Sequence, residues 1–434
     1  MKKRSSLLKR FFLIICAIAL LGSVRAGYCQ SGRQTPFDRN DRNGDGLLSQ
    51  DEFKGPKPAF ERIDKNNDGY ISKSELGEFR NEKQGHGGNL KNGKEPKQSI
   101  KAPDASTPIE KFRYIDTHQH LAGWAGNRGS MSDGYEQAAQ VALSTMNRLG
   151  IAKMILMPTP QTVNQENHHD IDDYLDIIKK HPQRFAMLAG GGTLNVMIQR
   201  SVSDGEVSNK LRKKFENTAE ELLAKGALGF GEMTAEHLSM NRTHPYIAVP
   251  PDHPLFLLLA DIAARHDVPV DLHMEAIPED MPLPGRLRQM PNNPDRLRAN
   301  IAAFERLLTH NPKAKIIWVH AGWDNTGQRT TDLSDRLLRS YPNLYMSIRV
   351  GPKPIPSRPT DAADRIKQEW LTLITKHQDR FIIGSDEFFL PQTRGKGHPS
   401  GGSTEKTVQL LSLLPEDISR KVGFENAEKI YHLK

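Results

Sequence analysis

Cysteine is nearly absent from this chain of 434 residues, which contains only Cys16 and Cys29. We expect Cys16 to leave with an N-terminal leader, and the single cysteine that remains excludes an intramolecular disulfide from the mature chain. A lipid anchor on Cys29 is disfavoured because Tyr28 precedes it, where a bacterial lipidation site has a small residue. Export without disulfides is ordinary for an enzyme with a sufficient core.

A hydrophobic run long enough to span a membrane is also lacking. The apolar stretch 11–21 has about a dozen residues, whereas a spanning helix needs roughly 20. Lysines and arginines precede this stretch, and a Val24-Arg25-Ala26 site follows it. The pattern predicts a secretory signal peptide over residues 1–26, with a membrane anchor as the alternative. We therefore expect a bacterial protein that is periplasmic or secreted and has no membrane partner after cleavage.

An excess of charge of one sign is missing once the leader is set aside. The formal net charge of the whole chain is +8, but residues 1–26 hold six basic and no acidic side chains, so the remainder carries +2. A basic surface is the electrostatic mark of nucleic-acid binding, and this remainder gives no case for it. A small-molecule partner is expected instead, while the oligomeric state is not readable from the sequence.

Two acidic loops of twelve residues stand near the N-terminus. Each has oxygen-bearing residues at positions 1, 3, 5 and 12 and a glycine at position 6, as a calcium-binding EF-hand loop requires. A phenylalanine four residues before each loop fits the entering helix, and Leu48 and Ile71 at position 8 are expected to pair the loops. The expected Ca²⁺ ligands are Asp41, Asn43, Asp45, Leu47, Glu52, Asp64, Asn66, Asp68, Tyr70 and Glu75.

These loops predict a small all-α EF-hand pair over residues 36–79. Degenerate acidic turns and a dockerin-type adhesion module are the alternatives, and the final glutamates and entering phenylalanines favour the EF-hand. Residues 80–108 contain almost no large apolar side chain and are predicted to form a disordered, flexible linker. The EF-hand pair is thus expected to be tethered to the rest of the chain.

The remaining residues, 109–434, alternate apolar runs with helical patterns, which cover residues 134–149, 170–180, 208–225, 253–266, 295–310, 331–340 and 361–378. Eight runs typical of buried parallel strands occur, and this alternation predicts an α/β fold, a (β/α)8 TIM barrel. A doubly wound open sheet is the alternative, but no glycine-rich phosphate loop follows the first strand. The expected strands cover residues 113–117, 153–157, 185–189, 227–231, 268–272, 315–319, 344–348 and 380–384.

Several of these strands end in a side chain that binds metal ions. Catalytic residues of such a barrel gather where the C-terminal ends of the strands meet, so these side chains are expected to share one face. Histidines and carboxylates without thiols suit zinc, manganese, iron or nickel. The candidate ligands of one or two divalent transition metal ions, with zinc expected, are His118, His120, Glu232, His273, His320 and Asp386.

The chain resembles the amidohydrolase superfamily, in its amidohydrolase-related branch of metal-dependent hydrolases. The resemblance rests on IDTHQH at 115–120, VDLHME at 270–275, IIWVHAGW at 316–323 and IIGSDEF at 382–388. It implies that His118, His120, His273 and Asp386 bind a first metal ion and that His320 binds a second ion or its water. GFGEM at 229–233 resembles the strand-four glutamate that bridges two ions in some branches, which slightly favours two ions.

The resemblance implies an exported metal-dependent hydrolase that acts through an activated water on an amide, lactone or ester-type substrate. Asp386 and His320 are the expected catalytic residues, and Asp386 is placed to accept a proton from that water. Arg349, after the seventh strand, is expected to bind an anionic group of the substrate. The alternatives are a metal-dependent decarboxylase or lyase of the same superfamily and a calcium-dependent adhesion or scaffold protein with an inactive barrel.

Overall fold

The chain divides into two compact units between Gln98 and Ser99 in this computed structural model. The predicted signal peptide and linker lie outside the described residues, as do the side chains of Leu47 and Tyr70 and the expected calcium ligands Asp41, Asn43, Asp45, Asn66 and Asp68. The described residues are 36–40, 47–64, 70–72, 75–76, 79, 114–122, 134–164, 168–240, 245–353, 355–391 and 402–433.

The described part of the N-terminal unit includes two short helices and a two-stranded antiparallel sheet. The helices are Pro36–Asn40 and Lys57–Ile63, and the strands are Leu47–Ser49 and Tyr70–Ser72. Leu48 lies opposite Ile71 in this sheet, which is the pairing that the two loops predict. A small apolar core holds the unit together and is formed by Phe37, Leu48, Phe60, Ile63 and Ile71.

The second unit is built on a parallel sheet whose strands we number by their order in the barrel. The eight barrel strands are Tyr114–Leu121, Ile151–Leu156, Phe185–Met187 with Ala189–Gly190, Phe230–His237, Pro269–Met274, Lys315–Ala321, Leu344–Ile348 and Phe381–Ile383. Short extra strands, Glu387–Phe389 and Ile247–Ala248, pair with barrel strands 1 and 4.

Barrel strand 3 closes the sheet. Its first part, Phe185–Met187, pairs with barrel strand 2, whereas its second part, Ala189–Gly190, pairs with barrel strand 4. Only Leu188 separates the two parts, which stand at the two ends of the strand order. Barrel strand 3 therefore joins the two ends of the sheet. The prediction of a (β/α)8 TIM barrel is confirmed.

Helices follow the barrel strands on the outside of the sheet, as expected of this fold. Amphipathic helices bury one face against the sheet, as Phe304 and Leu307 do in Ile301–His310. The longer helices are Tyr135–Leu149, Leu175–Lys180, Leu194–Asp204, Asn209–Ala224, Pro254–His266, Ile301–His310, Thr331–Ser340, Gln368–Lys376, Ser403–Leu411 and Asn426–Tyr431.

One helix prediction was wrong in its first half. The pattern over 295–310 predicts a single helix, but Arg296–Leu297 pairs with Met281–Pro282 in a small antiparallel sheet, and the helix begins at Ile301. Leu297 packs there with Leu283 and Leu287 in a separate apolar cluster beside the loops after barrel strands 4 and 5. Among the described residues, we find no helix of the length and apolar character required to cross a membrane.

Candidate metal centre

Six side chains at the C-terminal ends of the barrel strands come together in the structure. His118 and His120 lie on barrel strand 1, while Asp386 follows barrel strand 8. The other three, Glu232, His273 and His320, come from barrel strands 4, 5 and 6. Every one of the six is buried except His273, which is partly exposed. The shared face that the strand ends predict is therefore present.

Local backbone geometry aims two of these side chains. His320 and Asp386 have φ values of 60° and 52°, in the left-handed region that residues with a Cβ atom rarely adopt. Such a conformation costs on the order of 1–3 kcal/mol and persists only where the surrounding structure imposes it. The strained backbone thus lies at His320 and Asp386, whose side chains point toward the other four candidate ligands.

The first group of donor atoms surrounds the two histidines of barrel strand 1. Nε2 of His120 lies 3.2 Å from Oδ1 of Asp386 and 3.5 Å from Oε2 of Glu232. Nε2 of His118 lies 3.7 Å from the same glutamate oxygen and 3.8 Å from the same aspartate oxygen. The four atoms thus face one small volume, and His118, His120 and Glu232 have a mutual spacing that would admit a metal ion.

The second group lies on the other side of Glu232. Its Oε1 atom is 2.7 Å from Nδ1 of His273 and 3.3 Å from Nε2 of His320. The two histidine nitrogens are 3.1 Å apart, and all three residues have a spacing that would admit an ion. The structure therefore groups His273 with Glu232 and His320, whereas the resemblance assigned it to the same ion as His118 and His120.

The donor atoms are available for a metal ion. Nδ1 of His120 lies 2.9 Å from the backbone oxygen of Met157, and Nδ1 of His118 lies 3.2 Å from Asp271, so each ring directs Nε2 toward the centre. Both Nε2 atoms are buried and have no hydrogen-bond partner. A buried polar atom without a partner carries a desolvation cost, which coordination to a divalent ion would remove. The residues present fit such an ion.

The pKa values of several side chains in the site are strongly shifted. Burial alone would raise the pKa of Glu232, but His118, His273 and His320 outweigh burial and hold that pKa well below its usual range. Burial opposes a charge on His118, yet Asp271 and Glu232 together raise its pKa well above the ordinary value. Burial lowers the pKa of His320 to about 3, so this ring is neutral and its lone pair is free at neutral pH.

Two functional candidates, Asp271 and Phe388, were not singled out by the sequence pattern. Asp271, two residues before His273, contacts His118 inside the barrel. An aspartate within the apolar strand VPVDLH was the sequence feature that could have identified it. Phe388 stacks on His120 with 4.6 Å between ring centres and remains exposed at the mouth of the site. Trp323 lies beneath the guanidinium of Arg349, whose Cζ is 4.6 Å from the ring centre.

Comparison with known proteins identifies the family of the second unit. The profile described as amidohydrolase matches residues 115–433, and the profile described as EF hand matches residues 57–79. None of the curated proteins matches this chain.

Solved structures resemble the chain only distantly. A 2,6-dihydroxybenzoate decarboxylase from Rhizobium is 14% identical with a TM-score of 0.37, and the match covers 74% of this chain and 99% of that one. A manganese complex of 5-carboxyvanillate decarboxylase from Novosphingobium aromaticivorans is 16% identical with a TM-score of 0.40, covering 76% and 99%. A 4-oxalomesaconate hydratase from Rhodopseudomonas palustris is 11% identical with a TM-score of 0.39, covering 74% and 95%.

Proposed function

Because this chain belongs to the amidohydrolase family, we propose that it is a metal-dependent hydrolase with a two-ion centre that acts on an amide, lactone or ester-type substrate. The position of the Glu232 carboxylate carries this proposal. Its Oε2 atom faces His118 and His120, while its Oε1 atom faces His273 and His320. A carboxylate between two pairs of nitrogen donors is arranged to bridge two cations.

Two of the three groups with a spacing that would admit an ion share Glu232, while the third joins His118, His320 and Asp386. We divide the donors between two divalent transition metal ions on the basis of the shared glutamate. His118, His120, Asp386 and Oε2 of Glu232 would hold the first ion, and His273, His320 and Oε1 of Glu232 would hold the second. All donors are nitrogen or oxygen atoms, which suits zinc, and zinc is the ion that we propose. When bound, such ions supply a water of lowered pKa and a Lewis acid for the substrate carbonyl.

Asp386 is the residue that we assign to proton transfer. It is ionised at neutral pH, because the guanidinium of Arg349 lowers its pKa against the opposing effect of burial. Its Oδ1 faces His120 and its Oδ2 faces Arg349, so the carboxylate is fixed in orientation. From this position it accepts the proton of the attacking water and returns it to the leaving group, as general acid–base catalysis requires.

A decarboxylase or lyase with a single ion is the second candidate, and the geometry favours it less. That arrangement places His273 around the same ion as His118 and His120. In the structure, Nδ1 of His273 lies 2.7 Å from Glu232 and 3.1 Å from His320, on the other side of the bridging carboxylate. An inactive scaffold is disfavoured too, because the six donors remain assembled and two of them keep a strained backbone.

Metal analysis and product analysis together test the hydrolase proposal. Purified protein is expected to contain about two transition metal equivalents, and the double variant His118→Ala, His120→Ala is expected to lose the first. The enzyme is then assayed on amides, lactones and esters, with aromatic carboxylates assayed in parallel for release of carbon dioxide. Carbon dioxide release without any hydrolysis, at one metal equivalent, would replace the hydrolase by the decarboxylase.

The N-terminal unit is proposed to bind calcium. Glu52 and Glu75, the expected position-12 ligands, and Asp64, at position 1 of the second loop, are buried although they are acidic. Carboxylate oxygens at these loop positions are the ligands that a calcium ion takes in an EF-hand, where the glutamate at position 12 supplies both of its oxygens. Export through the signal peptide over 1–26 is proposed with it, and N-terminal sequencing of mature protein, expected to start after Ala26, tests the cleavage.

A further inference from the structure

Asp271 lies inside the barrel on strand 5 and is not one of the donors assigned above. Its side chain is fully buried, and both of its oxygens face a single nitrogen. Oδ1 lies 3.2 Å and Oδ2 lies 3.3 Å from Nδ1 of His118. A buried carboxylate is costly unless a donor or a positive charge compensates it, and here the imidazole is that partner.

The contact determines which nitrogen of His118 carries the hydrogen. A carboxylate accepts hydrogen bonds, so in the neutral ring, which is the form that binds a metal ion, Nδ1 is the protonated atom and Nε2 keeps its lone pair. That Nε2 atom lies 3.7 Å from Glu232 and 3.8 Å from Asp386 and is buried without a hydrogen-bond partner. The nitrogen that points into the metal centre is therefore the one that the Asp271 contact leaves free to bind.

The neighbouring strands make room for this pair. A Cβ atom on Gly231 of barrel strand 4 would lie 2.9 Å from Cβ of Asp271, and one on Gly384 would lie 2.8 Å from Cβ of His118. Both distances are shorter than real Cβ contacts allow. Glycine thus occupies one position beside each member of the pair, and the barrel interior accommodates the aspartate and the imidazole in contact.

His120 has a different partner and provides an internal comparison. Its Nδ1 atom lies 2.9 Å from the backbone oxygen of Met157, which is a neutral acceptor. A carboxylate makes the imidazole a stronger donor to a metal than a carbonyl does, and it also fixes the orientation of the ring. His118 is therefore expected to be the stronger of the two ligands.

We propose that Asp271 is a positioning residue of the metal centre, which holds His118 in the Nδ1–H tautomer and strengthens the bond from its Nε2 atom to the first ion. The inference rests on the proposed two-ion centre. A purely structural aspartate would affect the stability of the barrel but not the affinity for metal. Metal affinity, measured on folded protein, separates the two roles.

The test compares zinc binding by the full chain and by Asp271→Asn, using calorimetric titration of metal-free protein. The asparagine keeps the shape but removes the charge, so the first zinc ion is expected to bind about 10–100-fold more weakly. Asp170→Asn is the matched control, because Asp170 is also buried but accepts hydrogen bonds from Gly190 and Thr193 instead of a candidate ligand. The control is expected to keep the original zinc affinity.

The outcomes distinguish this inference from the function on which it rests. Unchanged zinc affinity in folded Asp271→Asn, with zinc binding intact in the original protein, overturns the role of Asp271 alone. Absence of zinc binding in the original protein overturns both the metal centre and this inference. Circular dichroism establishes that each variant is folded.

A second measurement needs no change at Asp271. Zinc-loaded protein labelled with ¹⁵N-histidine is examined by long-range proton–nitrogen correlation, and the His118 signals are assigned by their loss in His118→Gln. An Nδ1–H pattern for His118 is expected. An Nε2–H pattern would overturn the inference, because the nitrogen facing Asp271 would then lack the hydrogen that the contact requires.

Discussion

The guanidinium of Arg349 lies against the carboxylate of Asp386, with 2.5 Å between Nη1 and Oδ2. Burial alone would raise the pKa of Asp386, but the positive charge of Arg349 lowers it. The sequence suggested that Arg349 binds an anionic group of the substrate. In the structure its guanidinium already has an anionic partner within the protein, so we now expect it to act first on Asp386.

The variant Arg349→Met tests this relationship. Without the guanidinium, the pKa of Asp386 is expected to rise, and the acid limb of the kcat/KM profile should move to higher pH because activity requires the ionised carboxylate. Arg380→Met is the control, since Arg380 is also partly buried but donates to the backbone oxygens of Pro342 and Tyr341. An unchanged acid limb with a higher KM would instead support direct binding of the substrate.

The positions of the strand ends were predictable because the signal is local. An apolar run that ends in histidine or aspartate indicates both a buried strand and a polar side chain at its end. The helices were predictable for the same reason, and seven of the observed helices overlap predicted ones. The grouping of His273 with Glu232 was not predictable, because it depends on side-chain direction across neighbouring strands. The same holds for the contact between His118 and Asp271, which are far apart in sequence.

Errors in the predicted helices have a similar origin. Residues 296–297 have a helical pattern, but pairing with 281–282 gives them a partner that a helix pattern does not reveal. The helix Leu194–Asp204 was not expected. Its Asn195 is fully buried and accepts a hydrogen bond from the backbone of Thr234, a tertiary contact that makes a polar residue suitable for a buried face.

Removing the Glu232 carboxylate, the proposed bridge, should change the metal content. In Glu232→Gln the amide cannot serve two cations as a carboxylate does, so the metal content is expected to fall from about two equivalents to one or less, with loss of most activity. Glu236→Gln is the matched control, because Glu236 is a buried glutamate on the same barrel strand that bonds to Tyr246. Elemental analysis of both variants decides the matter, and two equivalents in Glu232→Gln would refute a bridging role.

Calcium binding by the N-terminal unit can be measured on the full chain. Titration is expected to show two sites with dissociation constants on the order of 0.1–1 mM, typical of extracellular modules. The double variant Glu52→Ala, Glu75→Ala removes the position-12 ligands and should show neither site. Asp51→Ala, which changes the acidic residue beside Glu52, is the control and should bind as before. Two sites of unchanged affinity in the double variant would contradict the assignment.

The stability of the barrel is expected to depend on pH through Glu236. Burial raises the pKa of Glu236 to about 8. The negative charge of Glu275 also raises this pKa, whereas the hydrogen bond from Tyr246 lowers it. Between an unfolded pKa of roughly 4.5 and this value, the folded state binds more protons than the unfolded state, so the free energy of unfolding falls as pH rises, by up to about 1.4 kcal/mol per unit.

Glu236→Gln should flatten this dependence. Urea unfolding at about pH 5.5 and pH 7.5, followed by tryptophan fluorescence, reports on the barrel because all four tryptophans lie after residue 108. Both proteins are measured without metal, so that proton release on metal binding does not contribute. Equal slopes for the two proteins would show that Glu236 is not the group responsible.

Gly384 has no side chain, and the space beside it is occupied by His118. We therefore expect a larger residue at this position to weaken binding of the first metal ion. In Gly384→Ala the new methyl group would lie 2.8 Å from Cβ of His118 and 3.2 Å from Cβ of Ser347. Both Cβ atoms belong to the neighbouring strands of the barrel and cannot rotate away, so His118 must move out of line with His120. A displacement of a few tenths of an ångström weakens coordination, and the affinity for the first ion is expected to fall about tenfold or more.

Gly285→Ala, where nothing lies within 4 Å of the new Cβ, is the control and should bind zinc normally. If Gly384→Ala bound two zinc ions with unchanged affinity, His118 would be able to shift without leaving the ion, and the rigid position assigned to it would have to be abandoned.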